Sequence, residues 1–190
     1  VLNFCPGSGS EIGDLLVEHP RTRFISFTGS KDVGLRIYEL AAKLSPGQIW
    51  LKRVVAEMGG KDAILVDEEV FDFNEMIDGI VRSAFGFQGQ KCSACSRLIV
   101  HKNLYDKVVD AVIKRAKETI VQGDPRKRTN NLGPVIDKNA FEKIKSYIEH
   151  TKSSGEGKLV LGGKYDDSEG YFVEATIFAD VPKTARIAKE

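Results

Sequence analysis

Residues 89–97 read Gly-Gln-Lys-Cys-Ser-Ala-Cys-Ser-Arg and hold the groups best suited to covalent chemistry. Cys92 stands beside Lys91, just after a glycine turn that follows a mostly apolar run. A cysteine attacks as its thiolate, and nearby positive charge or oriented backbone N–H groups favour that form. Upstream, Glu57-Met58-Gly59-Gly60-Lys61 offers a carboxylate at the end of an apolar strand. The glycines beside it let a backbone approach a ligand closely, and a partly buried carboxylate there could activate water.

Each feature also has a plainer reading. Free cysteines are among the most buried residues, so Cys92 could be structural. Cys92-Ser93-Ala94-Cys95 formally spells C-x-x-C, which suits a redox pair or half a metal site. Zinc would need two further ligands, and His19, His101 and His150 are scattered. Glu57 could be a surface ion-pair partner. Gly7-Ser8-Gly9 with Gly13 departs by one residue from the dinucleotide fingerprint G-x-G-x-x-G. Thr28-Gly29-Ser30 is better placed for an anion, because it joins a strand to a helix and aims helix N-terminal N–H groups outward. Either glycine cluster also serves as an ordinary turn.

The elements that must position these groups follow from periodicity. Val1–Cys5 reads as a short strand, followed by a helix with Ile12, Leu15, Leu16 and His19 on one face and a stop at Pro20. Phe24–Phe27 is strand-like. Ser30 is a suitable N-cap for a helix carrying Val33, Ile37, Leu40, Ala41 and Leu44. Ile49–Ala56 is the next strand. Ala63–Val66, a helix from about Phe73 to Phe87, and Leu98–His101 repeat the pattern. Strand–helix–strand units of this length indicate parallel crossovers and an α/β fold. Asn103 then caps an amphipathic helix with Leu104, Val108, Val112, Ala116 and Ile120 inward. A further helix at about 138–152 buries Phe141, Ile144, Tyr147 and Ile148, and Lys158–Leu161 and Tyr171–Phe178 close as strands. The double glycine Gly59-Gly60 is a plausible hinge, dividing the chain into 1–59 and 60–190.

Composition narrows the function classes. The 190 residues are 42% hydrophobic and 29% charged with a net charge of +1, an ordinary globular balance. Basic and acidic residues are interspersed, so no face points to nucleic acid, and Arg126-Lys127-Arg128 reads as a solvated turn. No apolar run approaches the roughly 20 residues that span a bilayer. Three cysteines in a chain of this size fit a reducing, cytoplasmic setting. The chain reads as a segment of a longer protein.

Together, Phe27-Thr28-Gly29-Ser30 with Val33-Gly34, then Glu57-Met58-Gly59-Gly60-Lys61, then Gly89-Gln90-Lys91-Cys92 with Arg97, resemble the aldehyde dehydrogenase superfamily over essentially the whole chain. Gly89–Arg97 and Pro46-Gly47-Gln48-Ile49-Trp50-Leu51-Lys52-Arg53 resemble its branch acting on glutamate γ-semialdehyde. The resemblance implies the end of a Rossmann-type NAD domain at 1–59 and the front of the α/β catalytic domain at 60–190. It implies NAD as cofactor, a small aldehyde as substrate and a homo-oligomeric full-length protein. Cys92 would be the nucleophile and Glu57 the base for the hydrolytic water. Thr28, Gly29 and Ser30 would lie near nicotinamide and pyrophosphate, Met58 and Gly59 would border the cofactor, and Gly9 and Gly13 would flank its adenosine part. Ser93 would help hold the substrate carboxylate, with Cys95 a bystander. A different acidic semialdehyde, or a folded fragment without catalysis, are the competing readings. Because other family site residues lie outside this segment, the 190 residues alone are expected to produce no NADH from glutamate semialdehyde.

Overall fold

Parallel strands cannot be joined by a tight turn; they need a crossover, and residues 29–52 supply one. In the computed structural model, which describes residues 2–190, β1 (Phe24–Thr28) and β2 (Arg53–Glu57) pair in parallel, with Phe24 opposite Arg53 and Thr28 opposite Glu57. Between them runs α2 (Lys31–Ala42), preceded in the chain by α1 (Gly9–Glu18). Ser30 caps α2 through its hydroxyl, which accepts from the Val33 N–H at 3.4 Å. Val17, Ile37, Leu40 and Ala41 form a small core, against which Ile25, Phe27 and Val54 of the sheet pack. Arg36 of α2 grips the Asp14 carboxylate of α1 with two hydrogen bonds, one from Nε at 2.9 Å. The guanidinium holds the Asp14 carboxyl below its usual range.

Three expectations for this part need correction. Leu2–Cys5 is exposed and forms no strand, because no strand among the described residues pairs with it; Val1 lies outside those residues. The strand expected at 49–56 shrinks to β2. The Trp50 indole N–H donates to the Thr22 carbonyl at 3.3 Å and the Gln48 amide to the Trp50 carbonyl at 2.7 Å, fixing an irregular approach. In the helices, Val17 is buried in α1 while Leu15 and Leu16 are exposed, and Val33 and Leu44 also face solvent, Leu44 beyond the end of α2.

The chain divides into two compact units, the first ending at Gly59 and the second starting at Gly60. In the second, β3 (Asp62–Val66) and β4 (Cys95–Val100) pair in parallel across α3 (Phe73–Phe85). Asp72 caps α3 by accepting from the Glu75 N–H at 2.9 Å. α4 (Tyr105–Thr119) packs on α3, and Val66, Ile77, Ile80, Val81, Val108, Val112 and Ala116 make the larger core. Asn103 is not the cap of α4. Its amide donates to Glu68 at 3.2 Å, and Leu104 occupies the capping position without a side-chain bond.

α5 (Lys138–Ser154) starts at the Asp137 cap and ends at Gly155, whose φ of 68° suits a residue without Cβ. Its inner face buries Phe141, Ile148 and Thr151, with Ile144 and Tyr147 half-buried. β5 (Lys158–Leu161) pairs antiparallel with β8 (Ile177–Ala179), and β6 (Tyr165–Asp166) with β7 (Phe172–Val173). The single strand expected at 171–178 is therefore two. The Thr176 hydroxyl donates to the Glu174 carbonyl at 2.8 Å and accepts from the Gly163 N–H at 3.0 Å, so a side chain takes over the bonding between them. A short α6 (Arg186–Lys189) completes the fold. No helix among the described residues is long and apolar enough to cross a membrane.

Ile77 is 2% exposed at the centre of the larger core. Ile77→Ala is expected to lower the unfolding free energy of the second unit by about 2–5 kcal/mol, read from urea denaturation followed by circular dichroism.

Candidate active site

In the first unit the parallel register places chemistry at the carboxyl ends of two neighbouring strands. Thr28 closes β1 directly opposite Glu57, which closes β2. The Gly29 N–H donates to the Glu57 carbonyl at 3.0 Å, so the turn after β1 is tied to the residue carrying the carboxylate. The Glu57 side chain is exposed rather than partly buried, and among the described residues it enters no ion pair. The first N–H groups of α2, at Lys31 and Asp32, have no intrahelical acceptor and form a positive pole beside Thr28-Gly29-Ser30. A Cβ on Gly29 would lie 2.5 Å from the Phe27 ring, and one on Gly34 2.7 Å from the Met58 sulfur. Met58 thus lies over the bare backbone of α2, close behind that pole.

The glycines of α1 are less well suited to a phosphate. Gly9 begins the helix with nothing near it, but Gly13 sits inside it, where its N–H belongs to the helical ladder. Ser8 precedes them as cap residue without a capping bond, its hydroxyl 2.7 Å from that of Ser10.

In the second unit the chemistry lies at the opposite ends of the strands, just before them. Past α3 the chain tightens into a kinked turn at Gly86–Gly89, whose middle residues are not right-handed helical. Phe87 and Gln88 both have φ of 56°, the left-handed region, and Gly89 follows at 67°. Two successive side-chain-bearing residues in that region cost about 1–2 kcal/mol each. The next bonds hold the bend: Gln90 N–H donates to the Phe87 carbonyl at 3.0 Å, and the Gln90 side-chain oxygen accepts from the Ile136 N–H at 3.1 Å. The bend delivers Lys91, Cys92 and Ser93 to the surface, all exposed. Ala94 is buried behind them and closes the turn by donating to the Lys91 carbonyl at 3.2 Å.

Cys95 has a different environment. It is half-buried at the start of β4, its Sγ donates to the Arg97 carbonyl at 3.5 Å, and burial pushes its thiol pKa up. The two cysteines of the C-x-x-C spacing therefore differ in access and bonding, and all three cysteines are free. No cluster of His, Cys, Asp or Glu that could hold a metal occurs among the described residues. Beside this turn, Arg97 donates to the Lys61 carbonyl, and the Lys61 ammonium donates to the Ile187 carbonyl at 3.0 Å. Burial, then the Arg97 charge, holds the Lys61 pKa below its usual value.

The structure thus groups Thr28, Gly29, Ser30, Glu57 and Met58 in one unit, and Cys92 and Ser93 with Gly60, Lys61 and Arg97 in the other. Sequence reasoning missed Gln90 and its tie to Ile136. Nothing in a Phe-Gln-Gly-Gln run announces left-handed backbone, and the partner lies far along the chain.

A carboxylate and a helix pole at parallel strand ends, followed by an exposed cysteine on a bent turn, suit a nucleotide-linked, thiol-dependent oxidoreductase. The chain belongs to the aldehyde dehydrogenase family: the profile of the Aldehyde dehydrogenase family matches residues 1–190. It is 60% identical over 190 residues to 1-pyrroline-5-carboxylate dehydrogenase of Geobacillus thermodenitrificans, and 59% to that of Bacillus cytotoxicus. Both matches take in 100% of this chain and 36% of the relative, so the chain spans about a third of these curated relatives' length. Among solved structures, a Thermus 1-pyrroline-5-carboxylate dehydrogenase with bound NAD superposes with a TM-score of 0.90 at 55% identity, over 98% of this chain and 35% of the other. An aldehyde dehydrogenase of Bacillus cereus gives the same TM-score at 35% identity, over 99% of this chain and 36% of that one. The fold is the α/β aldehyde dehydrogenase fold.

Because the Cys95 thiol is half-buried and its pKa raised, iodoacetamide at neutral pH is expected to modify Cys92 at least about tenfold faster than Cys95, by peptide mass mapping.

Proposed function

We propose that the protein carrying this chain oxidises L-glutamate γ-semialdehyde, the open form of 1-pyrroline-5-carboxylate, to glutamate with NAD⁺, a step of proline breakdown. The observation that carries the reading is the turn at 86–94, which presents Cys92 at the surface with Ala94 buried behind it, while Cys95 beyond the turn is half-buried. Relatives about 60% identical across the whole segment, named for this activity, support the substrate.

The residues present suit NAD. The positive pole of α2 beside Thr28-Gly29-Ser30 fits a pyrophosphate, and the exposed Glu57 and Gly59, with the half-buried Met58 between them, continue that surface toward a nicotinamide ring. Gly9, at the open start of α1, and Gly13 would flank the adenosine part. Residues 1–59 are then the end of the cofactor domain and 60–190 the front of the catalytic domain. When bound, NAD⁺ supplies the hydride acceptor.

The Cys92 thiolate adds to the aldehyde carbon, and the resulting hemithioacetal oxyanion is held by the Cys92 backbone N–H. Loss of hydride from that carbon leaves a thioester on Cys92. Glu57 takes a proton from a water, the hydroxide adds to the thioester carbonyl, and the Cys92 thiolate departs as glutamate forms. Ser93, the next exposed residue, contacts the substrate carboxylate. Cys95, with its raised thiol pKa, takes no part. The three free cysteines suit the cytoplasm, and the full-length protein is taken to be a homo-oligomer.

In the full-length enzyme, Cys92→Ala is expected to abolish NADH formation from glutamate semialdehyde. Glu57→Gln should retain the first-turnover burst of NADH while steady-state turnover falls about 10²–10⁴-fold. Faster turnover of succinate semialdehyde by the wild type would reject glutamate semialdehyde as substrate, and a Glu57→Gln enzyme without a burst would reject the role given to Glu57.

A further inference from the structure

The glycine pair between the two units contains one residue whose missing side chain has a specific consequence. A Cβ built on Gly60 would lie 2.2 Å from the Cys92 carbonyl oxygen and 3.2 Å from its carbonyl carbon. Gly59 has nothing within 4 Å of the same position. Gly60 is not among the glycines with positive φ, so left-handed backbone is not what calls for glycine at this position. The contact with the Cys92 carbonyl does. Gly60 and Cys92 meet because each leads into one of two adjacent parallel strands, with Asp62 of β3 opposite Cys95 of β4.

The oxygen that meets Gly60 belongs to the peptide joining Cys92 to Ser93. That peptide is planar, so its carbonyl and the Ser93 N–H move as one rigid body. We infer that Gly60 is a positioning residue: its bare Cα fixes the Cys92–Ser93 peptide plane and so sets both the nucleophile and the residue beside it that meets the substrate. This rests on the assignment of Cys92 as nucleophile. Any side chain at position 60 must displace the plane by roughly 1 Å to restore a normal C···O separation of about 3.3 Å. The segment is held on both sides of that peptide, since Ala94 is buried two residues after Cys92 and Gln90, two residues before it, is tied to the Ile136 N–H. A displacement of about 1 Å in a reacting group costs on the order of 10²-fold in rate.

The test uses the full-length enzyme with Gly60→Ala, and Gly79→Ala as control, since Gly79 lies in α3 with open space around its Cβ position. For Gly60→Ala, kcat/KM for the semialdehyde is expected to fall about 100-fold while the dissociation constant for NAD⁺ stays within about threefold. Independently of turnover, iodoacetamide labelling of Cys92 relative to Cys5 should change at least about threefold, with the half-buried Cys95 unaffected. Gly79→Ala should move none of these. Unchanged turnover and labelling in Gly60→Ala would overturn the inference. So would parallel loss of NAD⁺ binding with Cys95 becoming as reactive as Cys5, which marks general unfolding. A wild type that makes no NADH from any semialdehyde would refute the enzymatic reading and leave the labelling to decide the geometry.

Discussion

Parallel strand pairing is the constraint from which the arrangement of reactive groups follows. Because the strands of a pair run the same way, their corresponding ends lie together, and residues distant in sequence become neighbours without a long-range side-chain contact. In the first unit the shared ends are the carboxyl ends, bringing Thr28 beside Glu57. This is where open α/β sheets generally offer ligands a crevice. In the second unit the useful residues gather before the strands, where Gly60 and Cys92 lie side by side. The chain passes from one arrangement to the other through Met58-Gly59-Gly60-Lys61 alone.

The turn bearing Cys92 differs from the strands in what stabilises it. Its left-handed residues Phe87 and Gln88 carry a conformational cost, which the local bond from the Gln90 N–H to the Phe87 carbonyl offsets only in part. The rest of the offset comes from packing on either side: α3 is anchored through Ile77, Ile80 and Val81, and β4 starts from the buried Ala94. The larger core thus fixes both ends of the segment, and Gln90 fixes its middle. Exposure of the Cys92 thiol and burial of Ala94 two residues on arise from one device.

Much of this was readable in the residues. Ser30 capping a helix after a strand, the apolar faces of α4 and α5, and the parallel crossovers all follow from local chemistry and period. The aldehyde dehydrogenase resemblance rested on three short runs in order. What the residues did not reveal depended on partners chosen by the tertiary fold. Asn103 looked like a cap, but Glu68 lies within reach of its amide. The strand at 171–178 looked continuous, but Thr176 satisfies backbone groups that a neighbouring strand would otherwise bond. Gly60 read as half of a hinge, because a close approach between main chains leaves no trace in either sequence segment.

That close approach has a consequence for how the protein can change over time. The clashes that would follow a side chain at Gly29 or Gly34 involve the ring of Phe27 and the thioether of Met58, and a smaller residue at either place would relieve them. At Gly60 the opposing atom is a carbonyl oxygen, which every amino acid possesses. No compensating replacement of the residue facing it can make room. Position 60 is therefore closed to the stepwise pairs of substitutions by which packed cores drift, and Cys92 inherits a fixed seat from an atom that mutation cannot remove.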